Sequence, residues 1–193
     1  MNNTYDIFRI PVYEENTNLD NEAMAEYCLS LVDNNPGRVL SNEGGWQSNN
    51  LQGVHDTLNE LFKTITVSIN NFASQLFLPT QKIDNIWINI NGYKDYNIEH
   101  KHPNSYLSGV YYVQTHQDCG HITFKNPCAD LVEGYWSPNI TANDDNKLNL
   151  SWWFPAQTGK MYIFPSWLGH KVGPNLDKNK KRISISWNSN IDE

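Results

Sequence analysis

The sequence predicts a mainly β protein of the α+β kind, a jelly roll or small barrel with N-terminal helices packed on one outer face. Three observations predict it. Apolar residues recur at spacings of three and four up to Leu76, the period changes to two after Pro79, and the later segments are short and joined by Gly, Pro and Asn turns. Helices first and strands later place the helices on one side of the sheets. A closed or double sheet of such strands has an interior that can hold a small ligand.

Taken in chain order, Ile7 to Tyr13 is a short β-like segment. From Asp20 to Asp33 the apolar positions Met24, Tyr27, Cys28, Leu31 and Val32 mark one amphipathic helix, with Asp20 as its N-cap. Ser41 to Gly53, rich in Gly and Asn, is expected to be a loop. A longer helix runs from Val54 to Leu76 on Leu58, Leu61, Phe62, Ile65, Ile69 and Phe72, and Pro79 ends it. Strands are expected at Ile83–Ile90, Tyr106–Gln114, His121–Phe124, Ser151–Phe154, Lys160–Phe164 and Arg182–Trp187. Asn126 to Asn149, with little periodicity and much Asp and Asn, is expected to be a long loop near the mouth. There is no internal repeat or linker, and 193 residues with 39% apolar content suffice for one core. The expectation is a single domain over 1–193, with 1–80 a mainly helical scaffold and 81–193 the β core.

Composition excludes several function classes. A net charge of −7 and a pI near 5.3 oppose a nucleic-acid footprint, which needs clustered Lys and Arg. The short run Lys178, Lys180, Lys181 reads as a solvated loop before a strand. Cys28, Cys119 and Cys128 are odd in number and lack CxxC spacing, so they read as free thiols in a reducing compartment. The first residues do not form a signal peptide, and no segment approaches the roughly 18 apolar residues of a membrane span. A cytoplasmic address is expected.

Three segments carry the chemistry: Glu99-His100-Lys101-His102-Pro103, Phe164 to His170, and Arg182 to Asn188. On an extended backbone residues two apart share a face, so His100 and His102 can direct imidazoles at one metal. His170 is the best third ligand, since it follows a strong β segment and the turn Pro165 to Gly169, and could approach from the facing sheet. Imidazole suits iron, copper, nickel and zinc alike, and three side chains on one face leave three coordination positions open. In the last segment Arg182, Ser184, Ser186 and Asn188 share one face and Ile183, Ile185 and Trp187 the other. Spacing leaves two readings open, a solvent-facing polar row or a barrel interior in which Arg182 pairs with a carboxylate and Ser184 adds a hydrogen bond.

The order of these segments resembles the 2-oxoglutarate/Fe(II) dioxygenases of the prolyl-hydroxylase type, over about Ile83 to Asn188. More closely, His100-x-His102-Pro103, Ser108-Gly109-Val110-Tyr111-Tyr112, Phe164-Pro165-Ser166-Trp167-Leu168-Gly169-His170 and Arg182-x-Ser184-x-Ser186-x-Asn188 look like a family of small phage and bacterial oxygenases. The resemblance implies a double-stranded β-helix (jelly roll, cupin-like) and an oxidoreductase that uses Fe(II), 2-oxoglutarate and O₂. It places His100 and His170 on the iron, Arg182 on the far carboxylate of 2-oxoglutarate, and Ser184 and Tyr112 as hydrogen-bonding neighbours, and His102 is expected to bind the iron as the third ligand. It also implies that Tyr112 faces inward and Tyr111 the outer packing layer. His102 stands where the wider superfamily has Asp or Glu, and Glu99 or Asp118 ranks well behind it as the third ligand.

The resemblance implies a dioxygenase that converts 2-oxoglutarate to succinate and CO₂ and hydroxylates a C–H bond. The rivals are a three-histidine dioxygenase that uses no 2-oxoglutarate and a non-catalytic jelly-roll binding module. Fold and cofactor do not name the substrate. A peptide or protein side chain is preferred to a small metabolite. Trp46, Trp136, Trp152, Trp153 and Trp167 are candidates for the mouth, against a stronger expectation that they pack.

Overall fold

A computed structural model describes residues 3, 8–33, 35–53, 55–135 and 150–192. Eleven strands and three helices are assigned among them. The chain runs β1 (Tyr13–Asn16), α1 (Asn21–Ser30), β2 (Asn42–Glu43), β3 (Trp46–Gln47), a 3-10 turn (Asp56–Leu58) and α2 (Asn59–Gln75). It continues through β4 (Gln81–Asn91), β5 (Tyr96–His100), β6 (Leu107–Gln114), β7 (His121–Lys125) and α3 (Ala129–Tyr135). The last elements are β8 (Ser151–Pro155), β9 (Lys160–Pro165), β10 (His170–Val172) and β11 (Arg182–Ile191).

The strands form a six-stranded sheet, order β1-β9-β6-β11-β4-β3, and a five-stranded sheet, order β2-β5-β10-β7-β8. Every strand pair is antiparallel. Alternation along the larger sheet builds two cores. Tyr111 and Val113 of β6, Met161 and Ile163 of β9, and Ile183, Ile185 and Trp187 of β11 face outward and pack under α1 and α2 with Met24, Leu61, Ile65, Ile69 and Phe72. Their neighbours Val110, Tyr112, Tyr162 and Phe164 point the other way, into a second cluster with Ile122 and Phe124 of β7. Helices α1 and α2 therefore lie on one outer face, and the interior lies between the sheets.

Local chemistry explains the helix positions. The Asp20 side chain accepts from the Ala23 backbone N–H at 3.1 Å, an N-cap contributing about 1 kcal/mol. Tyr111 donates its hydroxyl to Asn21 Oδ1 at 2.8 Å and lies 3.0 Å from Thr17 Oγ1, which ties the start of α1 to the back of β6.

Several sequence expectations are corrected in detail. The first strand is Tyr13–Asn16 rather than Ile7–Tyr13, and Ile7 lies outside the described residues. Within the expected loop Ser41 to Gly53 two short strands form, β2 and β3. The expected second helix is a 3-10 turn followed by α2, and Val54 lies outside the described residues. The expected long loop begins with α3, while residues 136–149, including Trp136, lie outside the described residues.

Candidate active site

Two short strands of the smaller sheet, β5 and β10, set the site. They pair antiparallel with His170 opposite His100, so these imidazoles come from neighbouring strands of one sheet and not, as the turn before His170 suggests, from facing sheets. His102 follows two residues beyond His100, and its backbone N–H donates to the Ser166 carbonyl at 3.0 Å. Among the described residues one cluster of His, Cys, Asp and Glu could hold a metal, and it is His100, His102 and His170, whose ligand atoms lie within 4.8 Å of one another. His102 Nε2 and His170 Nε2 are 3.3 Å apart.

The tautomers follow from the partners. His100 Nδ1 faces the Ile98 carbonyl at 2.7 Å and His170 Nδ1 the Leu168 carbonyl at 2.9 Å. A carbonyl only accepts, so both Nδ1 atoms carry the proton and both Nε2 atoms turn a lone pair to the cluster. Burial reinforces this. It lowers the pKa of His100, and brings His102 down to about 4 and His170 to about 3, with the neighbouring imidazoles adding repulsion. The three rings are therefore neutral near pH 7, the form that ligates metals.

The opposite wall of the same cavity belongs to the larger sheet. Ser184 of β11 lies between Asn89 of β4 and Tyr112 of β6 in the sheet register, and Arg182 lies opposite Asn91. Arg182, Ser184, Tyr112 and Asn89 all line the cavity with the three histidines. Arg182 is only 1% exposed, which excludes the solvent-facing reading of its strand. Its Nη1 donates to the carbonyls of Cys119 and of Gly173, the latter at 2.8 Å. Both Nη1 hydrogens are thus used on backbone, while the buried Nη2 has no partner, and no carboxylate pairs with the guanidinium among the described residues. Tyr112 Oη is likewise buried without a partner, and burial raises its pKa. Asn89 Oδ1 is a third such atom. Orphaned polar atoms this deep cost about 1–3 kcal/mol each, so the wall offers free donors and acceptors to water or to a polar ligand.

Glu99 and Asp118 do not line this cavity. Trp152, Trp153 and Trp167 are about half exposed and do not line it either, whereas Trp87, absent from the sequence candidates, does. The alternation of β4 carries the signal for Trp87 and Asn89: Ile86, Ile88 and Ile90 pack under the helices, and Trp87, Asn89 and Asn91 occupy the intervening positions.

A family model described as "Putative 2OG-Fe(II) oxygenase" matches residues 85–188, more than half of the chain, and spans His100, His102, Tyr112, His170, Arg182 and Ser184. The chain belongs to the 2-oxoglutarate/Fe(II) oxygenase family. As a member it is an oxidoreductase that uses Fe(II), 2-oxoglutarate and O₂, which separates it from a three-histidine dioxygenase without 2-oxoglutarate and from a non-catalytic jelly-roll module. Solved structures agree in fold. A Pseudomonas putida prolyl-4-hydroxylase superposes with a TM-score of 0.65 at 12% identity, over 95% of this chain and 94% of that one. A prolyl hydroxylase from Trichoplax adhaerens, in complex with a hypoxia inducible factor peptide fragment, gives 0.58 at 16% identity, over 92% and 82%. HygX from Streptomyces hygroscopicus, with nickel and 2-oxoglutarate bound, gives 0.60 at 8% identity, over 94% and 83%. At these identities the likeness shows the double-stranded β-helix. No curated protein matches the chain.

Proposed function

We propose that this oxygenase holds Fe(II) on His100, His102 and His170, binds 2-oxoglutarate on Arg182, Tyr112 and Ser184, and hydroxylates a C–H bond of a peptide or protein. The observation that carries the reading is the pair of facing walls. Three neutral imidazoles converge from one side, and a buried, carboxylate-free guanidinium with an unsatisfied Nη2 stands on the other.

Each residue has a distinct task. The Nδ1 bonds to Ile98 and Leu168 fix the ring orientations of His100 and His170. Arg182 Nη1 is anchored on backbone, so Nη2 is the part of the fork left for the far carboxylate, with Tyr112 Oη donating beside it. The fork meets the carboxylate with fewer donors than a fully free guanidinium would. His102 contributes no negative charge, so the dianionic cosubstrate and solvent balance the metal. When bound, Fe(II) with 2-oxoglutarate supplies oxidative chemistry at O₂ that side chains lack.

Among the described residues no helix is long and apolar enough to cross a membrane. The free cysteines support a reducing, cytoplasmic setting. The peptide preference is supported by the Trichoplax enzyme, a prolyl hydroxylase with a peptide fragment bound. Anaerobic titration tests the site: one Fe(II) and one 2-oxoglutarate per chain are expected, with succinate formed on admission of oxygen. Protein that takes up neither would overturn the assignment of these residues.

A further inference from the structure

A second, wider cleft meets the inner cavity at the histidines. Ser41, Trp87, His100 and His102 line both spaces, whereas Arg182, Tyr112, Ser184 and His170 line only the inner one. The cleft, about 360 Å³, is open to solvent, and Arg182 is not part of its lining. A ligand seated in it reaches His100 and His102 without crossing the 2-oxoglutarate pocket.

Its chemistry is unlike that of the chain as a whole. The net charge is −7, yet the lining includes Arg38 and Lys101 and no carboxylate. Neither cation has a carboxylate partner among the described residues. Arg38 is held in place by its backbone N–H to the Gln47 carbonyl, 2.8 Å, and by Nη2 to Asn50 Oδ1, 3.0 Å. Its guanidinium lies 5.8 Å from the Trp87 ring centroid, and the same indole lies 5.7 Å from the His102 ring. One indole thus separates a fixed cation from the proposed metal. Arg38 Nε and Gln47 Oε1, a donor and an acceptor on two lining residues, are buried without partners.

We propose that the primary substrate is an acidic peptide docked in this cleft, with a side-chain carboxylate on Arg38 and the reacting C–H bond over Trp87 beside His102; this rests on the metal and cosubstrate assignment above. A carboxylate pairs with the carboxylate-free guanidinium by charge-assisted hydrogen bonds, and Lys101 adds to the attraction. Gln47 and Asn50 offer the amide donors and acceptors that pair with peptide bonds. Leu40, 64% exposed, and Ile98, 42% exposed, give the rim apolar contacts for a neighbouring side chain.

The test uses capped, fluorescently labelled nonapeptide libraries with a Glu, Gln or Lys guest residue. Binding is read by anisotropy to the anaerobic Fe(II)/2-oxoglutarate protein, and 2-oxoglutarate affinity is measured alongside. The wild type is expected to favour the Glu library over the Gln library at least about tenfold, the size of a hydrogen bond to a charged group. Arg38→Met should bring that ratio to about twofold or less, and Arg38→Lys should keep most of it, which separates lost charge from lost fold. Equal binding of Glu and Gln libraries, a Lys preference, or an undiminished Glu preference in Arg38→Met overturns the proposal. So does free glutarate displacing the Glu peptides completely at equal concentration, which would point to a small dicarboxylate instead. Anisotropy needs no turnover, so absent 2-oxoglutarate binding would sink the inner-cavity assignment while the Glu preference is still read independently.

Discussion

His170 stands directly opposite His100 in the antiparallel register of β10 and β5. Their ring centroids are 4.4 Å apart, and each Nδ1 is held by a backbone carbonyl two residues earlier in its own chain segment. The sheet itself therefore sets the spacing of two of the proposed ligands, and the third follows from the chain path to His102. Replacing His170 by Ala should abolish stoichiometric Fe(II) binding under anaerobic titration while leaving the fold intact by circular dichroism. Unchanged iron affinity in that variant would remove the triad assignment.

His102→Asp is expected to behave in the opposite way. A carboxylate at this position supplies the negative charge that His102 lacks. Iron affinity should be kept or raised, measured by the same titration. Loss of iron binding in a folded His102→Asp protein would mean that His102 does not occupy the third ligand position.

Gly109 of β6 lies against Trp187 of β11, directly across the ladder. A Cβ at 109 would stand 2.2 Å from Trp187 Cζ2, and that ring is fully buried under the helices. The indole has no free space to retreat into, so Gly109→Ala should cost about 1–3 kcal/mol by overpacking. Chemical denaturation would show this as a lower midpoint with an unchanged slope, and a wild-type midpoint would contradict the packing.

Thiol accessibility follows from burial. Cys28 and Cys119 are buried and Cys128 is exposed. In the native protein one thiol should react rapidly with an aromatic disulfide, and three after unfolding. Burial pushes the Cys28 thiol up to about 12, above the roughly 8.5 of an unfolded cysteine. The folded state then binds more protons than the unfolded one between these values, so this group's contribution to stability is full below about pH 8.5 and is lost as pH rises toward 12. Cys28→Ala should flatten that alkaline loss; an identical slope in the variant would assign it to other groups.

The parts of the fold legible in the sequence are those whose burial is long and periodic. α1 with its Asp20 cap, α2, and β4, β6, β9 and β11 of the larger sheet carry periodicity over enough residues to be read. β2, β3, β5 and β10 did not emerge, because each has two to five residues and gains its pairing from strands distant in the chain. The histidines could be recognised as residue types in a pattern, yet the strands that carry His100 and His170 could not. Arg38 was invisible for a different reason: it is a loop residue whose position over Trp87 depends on an isolated bridge to Gln47 and a side-chain bond to Asn50. Trp87 and Asn89, by contrast, stand in plain alternation with the Ile positions of β4.

Arg182 provides the sharpest separation of readings. Its guanidinium is buried, lined up beside Tyr112 and Ser184 in the same cavity, and fixed through Nη1 on the carbonyls of Cys119 and Gly173. The fixing contact is tight: a Cβ on Gly120, whose φ is +83°, would come within 2.7 Å of Arg182 Nη1 and 2.3 Å of the Gly173 oxygen. Lys in place of Arg has one nitrogen, which can satisfy the backbone carbonyls or reach the cosubstrate but does both poorly. Arg182→Lys should therefore weaken 2-oxoglutarate binding clearly. Arg182→Ala should weaken it more, by up to about 3–5 kcal/mol if the stranded carboxylate behaves like half of a broken buried ion pair. Iron binding should survive both, since the guanidinium does not ligate metal. The measurement is 2-oxoglutarate affinity of the anaerobic Fe(II)-loaded proteins, and equal affinities for wild type and Arg182→Ala would remove Arg182 from the cosubstrate site.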